Sequence, residues 1–162
     1  MIWVNEGRDQ MKRIAGELAS NLVERLARDC QSTADSEALT AQLQHFVHDY
    51  SFIQYAYVTD VKGHSTAIAI SDPGDQKGYK AFPIGFDYSN REWFLQPMRT
   101  GKLHITNVHQ SQVTGQLIIT VSTVITDAND EIIGVLGADI QLEEIIRGAE
   151  SLEAEVPNSE EE

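Results

Sequence analysis

A single cysteine, Cys30, stands in 162 residues, so no intrachain disulfide is possible and the redox compartment stays open. A lone thiol near a helix end, with no motif around it, reads as inert. Cations are also scarce. Twelve Lys and Arg face 25 Asp and Glu, for a net charge of −13. Nucleic-acid binding is therefore disfavoured, because phosphate contacts need clustered Lys and Arg. Long apolar runs are missing too: Met1-Ile-Trp-Val is four residues, against about 7–15 for a signal-peptide core and about 20 for a membrane span. Two alternatives follow. The chain is a complete cytoplasmic protein, or it is an extracytoplasmic (periplasmic) receptor domain cut from its flanking membrane helices.

Signatures of catalysis are equally sparse. No Gly-rich phosphate loop follows a strand, no serine sits in a nucleophile-elbow pattern, and no carboxylates are spaced as an acid–base pair. His45-x-x-His48 lies on one helical face, but nothing in the sequence supplies a third ligand, and such a pair is ordinarily solvated. The expectation is no enzyme, no catalytic residue, no metal and no cofactor.

What is present suits one globular domain. A chain of this length can bury roughly 68–70% of its unfolded surface. From Glu6 to Asp29, Met11, Ile14, Leu18, Leu22 and Leu26 recur at spacings of three and four, with Ala15, Ala19 and Val23 widening the stripe. That is one face of a long amphipathic helix. Asp35 or Ser36 caps a second helix that buries Leu39, Leu43, Phe46, Val47 and Tyr50. The period then turns to β: strands over 53–59 and 65–71, a loop at 72–78, a short helix over 90–99 closed by Gly101, and strands over 103–108, 117–126 and 131–140. Two hairpins repeat one chemistry, Thr59-Asp-Val-Lys-Gly63 and Thr126-Asp-Ala-Asn-Asp130. Residues 141–152 form a C-terminal helix, and 153–162 form an acidic disordered tail. Five strands at hairpin spacing, with helices before and after them, give an α+β domain over 1–152 with an antiparallel sheet.

The richest stretch is Phe86-Asp-Tyr-Ser-Asn-Arg-Glu-Trp-Phe94. It sets one permanent cation among rings on a turn. Arg91 offers a planar fork that matches a carboxylate. Phe86, Tyr88, Trp93 and Phe94 supply apolar walls and polar tips. Arg91 has a second reading, a surface ion pair with Asp87 or Glu92, and Trp93 has a compatible one as ordinary core.

This run, followed by Gly101, by Gly115 with Ile119-Thr-Val-Ser-Thr-Val124, and by Gly134-Val-Leu-Gly-Ala-Asp-Ile140, resembles the Cache family of sensor domains, also called PDC domains. The likeness covers about residues 52–142. It implies a PAS-like five-stranded antiparallel sheet behind a long N-terminal helix, with a ligand pocket between sheet and loops. In the amino-acid-binding branch an Arg-x-Trp-Tyr motif grips the ligand carboxylate, with a Tyr five residues before the Arg; a later Tyr and an Asp on the last strand hold the amino group. Arg91 and Trp93 match. Phe86 and Phe94 stand where tyrosines are expected, His109 falls near the later Tyr, and Asp139 matches the acid. Asp139 has the alternative of satisfying strand-end donors, and His109 that of a solvated loop histidine. Thr120 and Ser122 offer further pocket hydroxyls. The resemblance implies a sensor for a small carboxylate-bearing metabolite (amino acid, amine or organic acid), transmitting through its terminal helices to a signalling partner. The Met11-to-Leu26 stripe extends beyond what one sheet face needs, which gives the expectation of a homodimer along the N-terminal helix, with a helix packed only on its own sheet as the alternative. The rival expectation is a non-catalytic protein–protein interaction module with a PAS-like fold and no small ligand.

Overall fold

The computed structural model describes residues 2–31, 36–70, 83–111 and 115–145, with the backbone alone at 2–9, 11 and 36. Two helices lead, α1 (Ile2–Cys30) and α2 (Ser36–Asp49), followed by strands β1 (Ile53–Thr59) and β2 (Ser65–Ile70). A short helix α3 (Glu92–Thr100) precedes β3 (His104–Ile105), β4 (His109–Gln110), β5 (Leu117–Thr126) and β6 (Ile132–Gln141). The sheet is antiparallel, in the order β2-β1-β6-β5-β3, with β4 also paired to β5.

Of the expected strand over 103–108 only His104–Ile105 is a strand, and a second short one, His109–Gln110, follows beyond it. His104 and Ile105 face Ser122 and Val121, whereas His109 and Gln110 face Ile118 and Leu117. Between them the Thr106 N–H donates to the Thr120 carbonyl at 3.0 Å. The Thr120 N–H is answered by the Thr106 hydroxyl oxygen at 2.9 Å instead of by a backbone carbonyl. A threonine side chain thus substitutes for one rung of the ladder and lets residues 106–108 leave the strand path.

Side-chain alternation sorts the central strands into two faces. On one face Ala56, Val58, Ala67, Ala69, Ile119, Val121, Leu136, Ala138 and Ile140 form the main core with α1 and α2. On the other stand Tyr55, Tyr57, Ile68 and Ile70, with Trp93 packed against them. Both faces are covered, so all seven residues of β1 are buried.

α1 docks through a different flank than its large residues suggest. Ile14 and Leu18 remain 47% and 46% exposed, while Ala15, Ala19, Val23, Leu26, Ala27 and Cys30 are buried. Small side chains let the helix lie close to the sheet. At Gly16 an added Cβ would fall 2.9 Å from Ile105 Cδ1. α2 buries Leu39, Leu43, Phe46 and Val47 as its period requires.

The two repeated hairpins share one geometry. Asp60 Oδ1 accepts from the N–H groups of Lys62 (2.9 Å) and His64 (3.0 Å), and Asp127 Oδ1 accepts from those of Asn129 (2.8 Å) and Glu131 (3.0 Å). The fourth residue of each turn, Gly63 or Asp130, has positive φ. Aspartate tolerates that region and glycine prefers it. Of the C-terminal helix, Leu142–Ile145 is helical; its continuation, the 72–78 loop, the Asp35 cap and the acidic tail lie outside the described residues.

Candidate functional site

Gly63 determines where the aromatic turn goes. Its carbonyl accepts from the Tyr88 N–H at 2.8 Å, and the Phe86 carbonyl accepts from the Ser65 N–H at 2.9 Å. An added Cβ at Gly63 would lie 2.8 Å from Ser89 Cα, so only glycine admits this approach. Pinned in this way, the turn delivers Arg91 to the N-cap of α3 with an extended backbone (φ −84°, ψ 141°) and no side-chain capping bond. At the far end Gly101 (φ 71°) closes the helix, its N–H bonded to the Pro97 carbonyl.

Trp93 then lies flat over β6. An added Cβ at Gly137 would meet its ring at 3.1 Å, so this glycine is the seat of the indole. The ring stacks on Tyr57 (centroids 5.3 Å apart, 21° between planes) and tilts against Tyr88 (5.0 Å, 54°). Phe86 backs Tyr88 at 4.8 Å.

Beside this cluster opens a cavity of 360 Å³, within the range of about 300–1,000 Å³ usual for small-molecule sites. Tyr57, Tyr88, Arg91, Glu92 and Trp93 contribute from β1, the turn and α3; Thr106, Asn107, His109, Gln110 and Ser111 from the broken edge strand; Ile118, Thr120 and Asp139 from the sheet.

Its two charged poles differ in their surroundings. Asp139 is 7% exposed. Its carboxylate accepts from the Tyr57 hydroxyl and, at 2.8 Å, from the Thr120 hydroxyl. Burial pushes its pKa up, while the Tyr57 and Thr120 hydrogen bonds and nearby His109 pull it down. Tyr57 is in turn raised well above its ordinary value by burial and then by the adjacent carboxylate. Arg91 is half-buried, and among the described residues no carboxylate forms an ion pair with it. Glu92 pairs with His104 at 2.5 Å, and Asp87 Oδ1 accepts from the Ser89 N–H at 2.8 Å. A cation with no counter-ion among the described residues and a buried acid already partly solvated by hydroxyls thus share one hollow.

Of the residues singled out by sequence, Arg91, Trp93, Asp139, Tyr88, His109 and Thr120 line this cavity. Phe86, Phe94 and Ser122 do not. Phe86 is spent on Tyr88, Phe94 is buried on α3, and Ser122 pairs with Gly137, beneath the Trp93 seat. Sequence reasoning missed Tyr57, Glu92, Thr106, Asn107, Gln110, Ser111 and Ile118. For Tyr57 a signal existed, since alternation puts it opposite Ala56 and Val58 on the face away from the helices.

The model for the methyl-accepting chemotaxis protein-like first PDC sensor domain matches residues 36–147. A 143-residue stretch is 37% identical to part of a protein named citrate (Re)-synthase from Syntrophus aciditrophicus, covering 88% of this chain and 23% of that protein. Methyl-accepting chemotaxis protein McpA of Pseudomonas putida is 23% identical over 125 residues, 77% of this chain and 18% of its own length. The chain thus spans a quarter or less of these curated relatives. Among solved structures, the ligand-binding domain of the Pseudomonas fluorescens chemoreceptor CtaA in complex with L-serine is similar at TM-score 0.62 and 25% identity, over 90% of this chain and 60% of that one. The corresponding domain of the Pseudomonas aeruginosa chemoreceptor PctC in complex with GABA aligns at TM-score 0.66 and 22% identity, over 94% and 66%. The fold, the match over residues 36–147 and the cavity converge: the chain belongs to the family of methyl-accepting chemotaxis protein-like PDC sensor domains.

Proposed function

We propose that this sensor domain recognises a small zwitterionic amino acid, with Arg91 taking the carboxylate and Asp139 the ammonium. The observation that carries the reading is the pairing, in one cavity, of a guanidinium that has no counter-ion among the described residues with a buried carboxylate. A bidentate contact to Arg91 uses the geometry of its fork, and charge-assisted bonds of this kind are worth about 1.5–3 kcal/mol each. Trp93 and Tyr88 supply aromatic walls, and His109 and Thr120 neighbour the acid. L-Serine in the similar CtaA domain supports the amino-acid class. Phe86, Phe94 and Ser122 have no contact role in this reading.

We read the chain as non-catalytic. The carboxylates and the histidine of the cavity are held in structural bonds: Asp139 by Tyr57 and Thr120, Glu92 by His104, and the His109 ring by the Asn107 carbonyl at 2.9 Å. The synthase name belongs to a protein of which this chain matches 23%. Citrate formation by the purified chain would contradict the non-catalytic reading.

A homodimer along α1 fits the exposed Ile14 and Leu18. Such a pairing suits a helix that transmits to a signalling partner, since shifts of about 1–2 Å at helix interfaces switch such systems. We take 1–152 as the sensor domain. Thermal denaturation with a panel of amino acids tests the ligand reading. Saturating ligand raises the midpoint of the wild type through RT ln(1 + [L]/Kd), and Arg91→Ala loses that rise while its unliganded midpoint stays put. A rise that survives in Arg91→Ala rejects the anchor; no rise with any amino acid favours the ligand-free interaction module.

A further inference from the structure

Resting on the amino-acid reading, the cavity also carries information about which amino acid. The five residues that the broken edge strand contributes, Thr106, Asn107, His109, Gln110 and Ser111, all bear hydrogen-bonding side chains. One of them is tied to the long helix: Lys12 Nζ donates to Asn107 Oδ1 at 2.9 Å, across 95 residues of sequence. Lys12 takes the amide oxygen, so the Asn107 amide is held with its NH₂ as the remaining donor. The anchor ends of the ligand are matched by Arg91 and Asp139. What remains is a polar wall for the ligand's side chain.

We propose that Asn107 selects amino acids with uncharged polar side chains, and that Lys12 is the positioning residue that orients its amide. An apolar side chain covering this wall would strip water from Asn107 and Gln110 and return no hydrogen bond. A site built to pair with polar groups discriminates against the analogue lacking them. The same contact joins the recognition cavity to α1, so a side chain seated against Asn107 is felt one hydrogen bond away by the helix.

The test is calorimetric titration of the 162-residue chain with L-asparagine, L-glutamine and L-serine against L-valine and L-leucine. The expected result is at least about tenfold tighter binding of the best polar ligand than of either apolar one. Asn107→Leu is expected to cut that ratio to about threefold or less, mostly through gained affinity for valine and leucine. Lys12→Met is expected to lower affinity for the polar ligands and leave valine unchanged; a merely structural lysine would move all five together. Asn107 is exposed and Lys12, half-buried, meets it at the surface, so both variants are expected to fold, and the far-ultraviolet circular dichroism of each verifies it. Equal or tighter binding of valine or leucine by the wild type overturns the selectivity and leaves the amino-acid reading standing. Binding of none of the five overturns the selectivity, and the absence of a thermal rise with every other amino acid as well overturns both.

Discussion

Tyr57 on β1 donates its phenolic hydrogen to the Asp139 carboxylate on the neighbouring β6, although its register partner is Gly137 and Asp139 is paired with Tyr55. The bond therefore runs diagonally across two strands, on the face that carries the cavity, and it ties the aromatic cluster to the buried acid. Removing it should be felt at both ends. Tyr57→Phe keeps the ring but leaves the carboxylate with one hydroxyl partner fewer, and it is expected to destabilise the fold by about 1–3 kcal/mol in urea denaturation.

Asp139 also makes stability depend on pH. Burial raises its folded-state pKa above the unfolded value of about 3.9. The folded protein therefore holds this proton more tightly than the unfolded chain does, and the stabilisation is complete below the unfolded pKa. It is lost as pH rises from there through the raised folded value. Asp139→Asn cannot titrate. Its stability relative to the wild type should increase with pH across that window, as read from urea midpoints; a flat difference would place the acid's pKa at its ordinary value.

Gly137 and Gly134 make a graded pair. A Cβ at Gly137 meets the Trp93 ring at 3.1 Å, whereas one at Gly134 meets the Thr59 carbonyl oxygen at 2.0 Å. A ring can tilt and backbone cannot. Gly137→Ala is expected to lose about 1–2 kcal/mol and shift tryptophan emission, and Gly134→Ala at least about 3 kcal/mol.

Cys30 is 2% exposed, and its thiol pKa is pushed up to about 12 by burial and by neighbouring Asp29. At pH 8 the native chain should react negligibly with an aromatic disulfide reagent and the urea-unfolded chain promptly. Equal rates would place the thiol at the surface.

Much of the architecture was legible because it rests on local chemistry. The Thr-Asp hairpins repeat their aspartate bonds atom for atom, β1 and β5 begin and end where the β-branched runs do, and Gly101 stops α3. The apolar stripe of α1 was legible, but which part of it docks was not, because size is a poor guide where a helix must lie close: Ala15, Ala19, Val23 and Leu26 went in, and Ile14 and Leu18 stayed out. The site divides along the same line. Arg91, Trp93 and Asp139 sit in motifs, so a single sequence exposes them. Thr106, Asn107 and Gln110 reach the cavity only because the Thr106 hydroxyl replaces a ladder carbonyl and breaks the edge strand, a tertiary event with no periodic signature. Phe86 and Phe94 lie outside the cavity lining, since Phe86 packs on Tyr88 and Phe94 is buried on α3.

The sharpest measurement compares L-serine with its two single-charge analogues, ethanolamine and 3-hydroxypropionate, by calorimetric titration of the wild type and Arg91→Ala. If Arg91 and Asp139 hold opposite ends of a zwitterion, each analogue should bind the wild type at least about tenfold more weakly than serine, and Arg91→Ala should bind serine no better than ethanolamine. Serine binding undiminished in Arg91→Ala, or an analogue as tight as serine, would contradict the two-pole site.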